Sequence, residues 1–578
     1  MKKSLIICLA LAALLLIGGG VFAAIYFGND RATTEERTTS QSPNHHAVFY
    51  INLDQLIQKS GIHSTLTDVN RSVLANVITQ NIDDRQWTEY TKELLSNLDN
   101  SGIDTMTPIY GYVNNHNDIG TVLTLVAEVD DVEKVDRFME YISTISNEEF
   151  ALEKSGQTRT LFCEEEVIIS YDNNKFVVVV SDDVNSIKDL ATTALNSPKV
   201  DLKAYAKYDI AYSVIFAPIL DATTNELKAN ISELNDQIAE YNSTKEEYAT
   251  NGNEEDYWWE ASWIEEEILW CEQQIESHRA TLKKINAFSA NLSSNANLVM
   301  GILFEDGTAT AELSINGVKS EVLPNKMVTN EHLAYIDNGA LVVLNAAIEG
   351  DKVSDLLAEN ITSDYADMFG IDQNEFNIYT GILIDAIESI DGDLMIALND
   401  LYGGYYGISS AELMAAMSVK DDYIISTIGQ FGTGFLAQVG DNKYNIRMEG
   451  QSINLGQIDD TFYATMNMDY TESVASAKTA PWVNDVEKSY GYLVLNVDDA
   501  MQNNAIAALY RDQLNSLNTQ SAVIVDNLVD AVSYTYITID SPKSAKMVIV
   551  FDDQQTNSLK QIVKHIVPLA ITEVANNY

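Results

Sequence analysis

Four short acidic clusters contain the residue types in this sequence that are most similar to the ligands of a cation-binding site. They are Asp130-Asp131, Asp182-Asp183, Asp391-Gly392-Asp393 and Asp552-Asp553. Carboxylates combined with backbone carbonyl oxygens are ligands that Ca²⁺ accepts. Paired Asp residues serve more often as solvated turns and helix caps, however. The sequence therefore predicts no cofactor, with loosely held Ca²⁺ as the alternative.

Motifs that would identify an enzyme are absent from the sequence. It contains no Gly-x-Ser-x-Gly elbow, no His-Glu-x-x-His, no Walker A loop and no complete EF-hand loop. The seven His residues show no metal-like spacing apart from His45-His46, which lies in a polar linker. Residues 432–437 fit a loose dinucleotide pattern but lack a crossover helix. We predict a protein that is not an enzyme, with no catalytic, cofactor-binding or metal-binding residues.

Four of the six Trp residues lie close together in the sequence. They are Trp258, Trp259, Trp263 and Trp270. Trp259 and Trp263 are four residues apart, and Trp263 and Trp270 are seven apart, so a helix places them on one face. Either this face packs on a neighbouring part of the same chain, or it forms an aromatic patch that contacts a protein partner, since Trp is enriched in binding hot spots.

Two apolar heptad patterns surround these Trp residues. The patterns cover 220–241 and 257–285, with apolar side chains at alternating spacings of three and four residues. The polar segment 251–256 separates them. Two helices joined by a short polar turn form an antiparallel coiled-coil hairpin. We predict such an arm over 218–291, inserted between neighbouring strands.

A short apolar pattern that ends in Asn occurs three times. Its copies are Ala47–Leu53, Ala340–Ala346 and Gly491–Val497. A continuous apolar run of this length is typical of a strand buried on both faces. The Asn residues of the copies, Asn52, Asn345 and Asn496, are expected where the chain leaves the sheet, because Asn tolerates turns and caps helices.

Elsewhere, predicted strands alternate with helices and are often joined by hairpin turns, which favours α+β over a doubly wound parallel fold. The predicted fold class is α+β, with antiparallel sheets and packed helices in two or more related modules. The inserted coiled-coil hairpin and an N-terminal transmembrane helix complete the predicted fold.

The N-terminal segment predicts export. Lys2 and Lys3 precede an uncharged run from Leu5 to Phe27, which as a helix is long enough to cross a hydrocarbon core of about 30 Å. The run is either a retained transmembrane helix or a cleaved signal peptide with Val21-Phe22-Ala23 at its cleavage site. We prefer the retained helix, because the apolar run continues past that site.

These patterns divide the chain into six segments. They are the transmembrane anchor or signal peptide, 1–27; a flexible tether, 28–46; a first α+β module, 47–217; the helical arm, 218–291; a second α+β module, 292–480; and a C-terminal α+β segment that packs with the second module, 481–578. The expected location is the periplasm, either anchored in the inner membrane or, if the first segment is cleaved, as an exported envelope protein.

The charge balance excludes one class of partner. The chain has 85 Asp and Glu against 35 Lys and Arg, a net charge of -50. A nucleic-acid binder needs a basic face that displaces counterions from phosphates. The acidic residues are spread over both modules and the arm, so they are interpreted as a solubilising coat. No nucleic-acid partner is predicted.

Six segments spread over much of the chain carry a family resemblance. They are Ala47–Gly61, Gly102–Asp104, Val129–Phe138, Leu333–Leu357, Ile390–Leu398 and Asp460–Met466. Together they resemble an uncharacterised family of Bacteroidetes cell-envelope proteins, often lipoproteins, known as a domain of unknown function. The resemblance implies an extracytoplasmic envelope protein without known catalytic residues. The sequence departs from a lipoprotein at Cys8, which lies too early for a lipid-attachment motif.

The sequence as a whole predicts a membrane-tethered extracytoplasmic envelope protein of unknown molecular activity, which acts as a protein-binding or structural component. Its expected partners are another envelope protein and, through the N-terminal helix, the membrane. Two alternatives belong to other classes. One is a hydrolase that uses paired carboxylates brought together only by the fold. The other is a surface module that binds carbohydrate, suggested by the abundance of Tyr and Trp.

Overall fold

The computed structural model describes residues 46–577 except for short gaps at 81, 83, 117–119, 147–149, 164–166, 182–183, 199, 201, 252–253, 320–325, 361–371, 405–406, 432–435 and 449–450. Its 20 strands belong to one antiparallel hydrogen-bonded sheet. The chain divides into two compact units. Unit 1 holds the residues up to Leu56, Arg71–Gly301 and Ile315–Lys319, and unit 2 holds Ile57–Asn70, Ile302–Ser314 and the residues from Ser320 onward.

Eight strands of unit 1 follow one another across the sheet in the order β4-β5-β6-β7-β3-β2-β1-β8. They are β1 (Ala47–Ile51), β2 (Ile109–His116), β3 (Gly120–Glu128), β4 (Ala151–Ser155), β5 (Thr158–Cys163), β6 (Val167–Tyr171), β7 (Lys175–Val180) and β8 (Ile210–Ile215). The helices between them are α1 (Leu53–Ser60), α2 (Ile62–Thr65), α3 (Asp68–Ile78), α4 (Arg85–Ser96), α5 (Val132–Ser146) and α6 (Val184–Asn196).

The core of unit 1 explains why its central strands are apolar at successive positions. All residues of β1 and β6 are buried. Helix α6 covers part of the sheet with Ala191, Ala194 and Leu195. Helices α4 and α5 contribute an aromatic cluster in which the rings of Tyr90 and Tyr141 meet edge to face, 5.3 Å apart. A strand with both sides covered has no polar face, so its sequence does not alternate.

Two long helices follow β8. They are α7 (Phe216–Asn251) and α8 (Glu254–Ala290), and together they form the helical arm. Leu234, Cys271 and Ile275 are buried between them, with Ile231 and Ile238 packed alongside. The main contacts of the two helices are with each other. The arm is therefore held together by its own apolar seam.

The remaining strands are β9 (Leu292–Glu305), β10 (Thr308–Val318), β11 (Val342–Glu349), β12 (Ile390–Gly404), β13 (Gly407–Val419), β14 (Ala437–Gly440), β15 (Lys443–Met448), β16 (Gln451–Ile458), β17 (Thr461–Met466), β18 (Gly491–Asn496), β19 (Val532–Ser541) and β20 (Ser544–Phe551). Their order is β9-β10-β20-β19-β18-β11-β12-β13-β17-β16-β15-β14. The helices among them are α9 (Gly350–Asn360), α10 (Gln373–Glu388), α11 (Tyr423–Phe431), α12 (Val483–Val486), α13 (Val497–Gln502), α14 (Asn504–Ser516), α15 (Thr519–Val529) and α16 (Ser558–Asn577).

The strand pairings of β1–β8 recur in β11–β18. The first strand of each set pairs with the second and the eighth, the third pairs with the seventh, and the fourth to seventh form a meander. In each set the eighth strand is followed by helices and then by a hairpin, β9–β10 or β19–β20. The helical arm thus occupies the same place in chain order as the shorter helices α13–α15.

The three copies of the apolar pattern have different places in this topology. Strand β11 corresponds to β1 in chain order, whereas the third copy is β18, the direct partner of β11. Asn52 follows β1 and its Oδ1 accepts a hydrogen bond from the backbone N–H of Gln55, 3.1 Å away. Asn496 ends β18. The prediction for Asn345 is wrong, because this residue lies buried within β11.

The predicted fold class is wrong in one respect. Separate antiparallel sheets were expected, whereas the 20 strands belong to a single antiparallel sheet. In the part of the chain that the structure describes, no helix has the length and apolar character needed to cross a membrane. The segment for which a transmembrane helix was predicted, 1–27, and the tether up to residue 45 lie outside the described residues.

Candidate functional site

An open groove of about 1320 Å³ lies within unit 2. It is formed by the loop before β11, the last part of β12, the loop at 473–475 and the start of α14. Its polar lining includes five carboxylates: Asp337, Asp400, Glu412, Asp499 and Asp512. No Lys, Arg or His stands among the described residues that line it. We call this site the polar groove.

Asn399 joins two of these carboxylates. Its Nδ2 donates to Oδ2 of Asp337 and to Oε2 of Glu412, in both cases over 3.2 Å. Oδ2 of Asp337 and Oε2 of Glu412 are therefore no more than twice 3.2 Å apart. The hydroxyl of Tyr402 donates to Oε1 of Glu412 over 2.5 Å, and the Ser473 hydroxyl donates to Asp337. The hydrogen bond to Glu412 raises the pKa of Tyr402, with burial adding to the effect.

Asp400 connects the strand β12 to the helix on the other side of the groove. Its Oδ1 accepts from Nδ2 of Asn503, 2.6 Å away. The Oδ1 of the same Asn accepts from the N–H groups of Ala505 and Ile506 and so caps α14. One amide side chain thus holds the helix start against the strand, which defines the width of the groove at this point.

The hydrogen bonds of the groove restrict the chemistry it can perform. Glycosidases place two carboxyl groups on either side of the scissile bond, and one of them must present a proton. Here the space between Asp337 and Glu412 is filled by the amide of Asn399, and both carboxylates accept hydrogen bonds from neighbouring donors. Between Asp337 and Glu412 the arrangement offers oxygen acceptors and an amide to a bound molecule.

A buried polar network lies in unit 2 beneath the segment 328–336. Asp393 is fully buried, and its carboxylate accepts from the backbone N–H groups of Thr329 (2.9 Å) and Asn330 (2.7 Å) and from Nδ2 of Asn345 (3.2 Å). The hydroxyl of Tyr492 donates to Oδ1 of Asn330 over 2.7 Å, and burial raises its pKa. This network anchors a loop whose Asn330 has a φ of +61°.

His332 belongs to the same buried layer. Its side chain is buried, with Nε2 3.4 Å from the Ser418 hydroxyl. Burial lowers the pKa of His332, although the charges of Glu331 and Asp393 act in the opposite direction. A neutral, enclosed imidazole here packs under the loop. The sequence interpretation attached no role to His332.

The predicted Trp residues lie on α8, in the arm. Trp263, Leu269 and Trp270 are each about half exposed, at 52%, 54% and 51%. Glu266 lies three residues after Trp263 and four before Trp270, on the same helix face. The Trp263 ring contacts Tyr241 of α7 edge to face, at 5.9 Å. We call Trp263, Glu266, Leu269 and Trp270 the arm patch.

Trp258 and Trp259 lie near the start of α8, where the side chains of 251–261 fall outside the described residues. The structure therefore does not test whether they join the arm patch.

One comparison with known proteins gives a match. The family model described as a domain of unknown function (DUF4836) covers residues 271–559, which is half of the chain. This protein belongs to the DUF4836 family. The match begins within α8 and ends at the start of α16, so the DUF4836 region contains the polar groove and the buried network. The arm patch lies before its first residue.

The predicted resemblance to a family known as a domain of unknown function is confirmed. Bacteroidetes origin and lipoprotein character stay predictions. Three of the resembling segments, Ala47–Gly61, Gly102–Asp104 and Val129–Phe138, lie outside the DUF4836 match. No curated protein and no solved structure matches the chain.

The acidic clusters of this DUF4836 protein have local partners. Oδ1 of Asp131 accepts from the N–H groups at the start of α5, and Oδ1 of Asp553 accepts from the backbone N–H groups of Gln555 and Thr556. A hydrogen bond with the Thr556 side chain, followed by the backbone bond from Gln555, lowers the pKa of Asp553. Asp391 pairs with Lys326 at 2.9 Å. Among the described residues no group of His, Cys, Asp or Glu is arranged to hold a metal ion. Asp182-Asp183 and residues 432–435 of the dinucleotide-like segment lie outside the described residues.

Proposed function

We propose that this DUF4836 protein acts by binding a protein partner through the arm patch. The observation that supports this most directly is the half-exposure of two Trp side chains seven residues apart on one helix face. Trp is the residue type most enriched among binding hot spots, and large apolar side chains that stay exposed in a free protein mark interaction sites. The alternative, that this face packs on the protein's own body, is disfavoured by the exposure of both rings.

The chemistry of the patch favours a basic partner. The arm contains sixteen Asp and Glu against five Lys and Arg, and Glu266 stands between the two exposed rings. The face of an indole ring attracts Lys and Arg side chains, and a nearby carboxylate pairs with them. The net charge of the whole chain, -50, draws positively charged partners toward it. We infer that the partner presents Lys or Arg beside aliphatic residues.

Replacing both Trp263 and Trp270 with Ala is expected to weaken binding of such a segment by at least about thirtyfold, since truncation of each hot-spot Trp costs about 1 to 2 kcal/mol or more. The probe is a synthetic helical peptide with alternating Arg and Leu faces, titrated into the full chain by calorimetry. Glu266→Gln should weaken binding less, by about threefold, and reduce its dependence on salt.

The matched control is Phe288→Ala, because Phe288 is also exposed on α8 but lies at the opposite end of the arm, against Phe216. It should leave the affinity unchanged. Equal affinity of the double Trp variant and the parent protein would refute the proposed role of the patch, as would unchanged crosslinked partners after deletion of 222–288.

The polar groove supports a second candidate function, the binding of carbohydrate. Its carboxylates and amides, together with the half-exposed ring of Tyr402, are groups that hydrogen-bond and stack with sugars. The lack of positive charge among its described lining residues disfavours phosphate or carboxylate ligands. A neutral, hydroxyl-rich ligand fits this lining best.

A set of neutral oligosaccharides, titrated into the full chain, tests the groove. We expect binding that falls about tenfold or more in Asn399→Ala, because this change removes the amide that orders Asp337 and Glu412. Asn445→Ala, a change outside the groove on β15, is the control. New reducing ends in the incubated sugars would instead establish the hydrolase alternative, and the absence of any binding would exclude the groove as a sugar site.

A further inference from the structure

One face of the unit 2 sheet is apolar and exposed. Along β11, β18, β19 and β20, residues alternate between fully buried positions and partly or largely exposed ones. The buried positions form the core of unit 2. In an antiparallel sheet with one covered face, the other face normally carries polar residues. Here it carries aliphatic side chains.

The exposed side chains are in register across the strands. Leu344 of β11 stands directly opposite Ile396 of β12 and Leu493 of β18. Leu493 in turn faces Ile537 of β19, which faces Met547 of β20. Directly paired residues of an antiparallel sheet lie on the same face. A continuous apolar row therefore crosses five strands.

Rows on either side extend this surface. We call it the apolar sheet face; its large members are Leu313, Leu344, Ile396, Leu493, Leu495, Ile537, Ile539 and Met547. Each of them is between 37% and 45% exposed. None of these positions carries a charge, in a chain with 85 acidic residues. Contiguous exposed apolar surface of this kind is rare unless something covers it.

The apolar sheet face is somewhat smaller than one side of a standard-size protein interface. Six strands spaced about 4.8 Å apart, with three rows of side chains, span roughly 29 by 20 Å. The projected area of the face is therefore about 600 Å²; the side chains that protrude from it add to the accessible area. A stable interface buries about 800 Å² on each partner. Two sheets that pack face to face lie about 10 Å apart with their side chains interdigitated.

We propose that a second copy of this chain covers the apolar sheet face, so that two copies pack these faces together as a symmetric dimer. The face is uncharged and apolar along its rows, so the same apolar side chains of two copies can meet across a two-fold axis, which an isologous interface requires. A basic partner would gain nothing from it, in contrast to the arm patch. Repulsion between two acidic copies acts through the rest of their surfaces and is weakened by salt.

Sedimentation velocity of the full chain tests the proposal, at about 1 to 100 µM protein and from about 0.05 to 1 M NaCl. We expect a monomer–dimer equilibrium that shifts toward the dimer as salt increases. Leu493→Thr combined with Ile537→Thr should raise the dimer dissociation constant at least about tenfold, because it places two hydroxyls in the centre of the apolar row. Thr is suited to strands, so the sheet should persist.

The matched control replaces Leu152 and Val439 with Thr. Both are exposed aliphatic residues on other strands, at 48% and 64%, and their loss should leave the dissociation constant unchanged. Circular dichroism shows whether each variant is folded; if the double variant is not, Leu493→Thr alone serves, with about a threefold rise expected. A chain that stays monomeric under all conditions would overturn the proposal, and so would dimers that form equally well with and without the substitutions.

Discussion

Replacing Asp393 with Ala is expected to lower the free energy of unfolding by about 3 kcal/mol or more. The carboxylate is buried and accepts hydrogen bonds from the N–H groups of Thr329 and Asn330 and from the side chain of Asn345. Ala leaves the two backbone N–H groups without this acceptor, while Nδ2 of Asn345 keeps Oδ1 of Asn330 as an acceptor. Each orphaned buried donor costs about 1 to 3 kcal/mol. Urea unfolding followed by circular dichroism measures the loss.

Asp391→Ala is the control, because Asp391 belongs to the same Asp-Gly-Asp motif but is about half exposed and pairs with Lys326 at the surface. Exposed ion pairs contribute about 0 to 1 kcal/mol, so this variant should unfold at nearly the parental urea concentration. Similar losses in the two variants would contradict the assignment of Asp393 as the acceptor that holds the 328–336 loop.

Trp482→Ala is expected to destabilise the protein by about 3 to 5 kcal/mol. Trp482 is among the largest fully buried side chains of the described residues and lies in the unit 2 core, with its ring 6.2 Å from that of Tyr492. Ala removes most of the side chain from a closely packed interior and leaves a cavity that its neighbours cannot fill. Thermal or urea unfolding measures the effect.

Trp482→Phe should cost much less, about 1 to 2 kcal/mol. The indole Nε1 has no hydrogen-bond partner among the described residues, so the change reduces volume without removing a hydrogen bond. Trp263→Ala on the arm is the second control, since a half-exposed side chain contributes little to folding. If Trp482→Phe proved as damaging as Trp482→Ala, loss of volume could not be the cause.

Local spacing was sufficient to locate several elements. The heptad patterns of 220–241 and 257–285 coincide with α7 and α8, because the apolar side chains that pack between two helices must recur at every turn. The continuous apolar runs coincide with β1, β11 and β18. Envelope location, the absence of enzymatic activity and the absence of a cofactor stay predictions that rest on the sequence.

The burial of Asp393 could have been predicted from the alternation of residues along β12. It is in phase with Met395 and Ala397, which are buried on the same face of β12. A carboxylate at a core position of an alternating strand must have hydrogen-bond donors nearby. Its donors, however, lie more than 45 residues away along the chain, so their identity could not be predicted from local spacing.

The polar groove could not be predicted in this way, because its carboxylates and amides come from four separate parts of the chain between Asp337 and Asp512. The apolar sheet face was hidden for a related reason. Two of its strands, β11 and β18, were predicted from their apolar runs to be buried on both faces. Which of the two faces is covered depends on where the helices pack, and that is a property of the tertiary structure.

The sequence by itself determined the acidic character of this protein, its apolar strands and its long helices, since charge and periodicity are local properties of the chain. Only the tertiary structure decided that the strands form one sheet, that Asn399 stands between two carboxylates, and that the Trp side chains of the arm and one face of the unit 2 sheet remain open to solvent. The physical reason is that exposure and hydrogen bonding are settled by contacts between residues distant in sequence, and no local pattern records them.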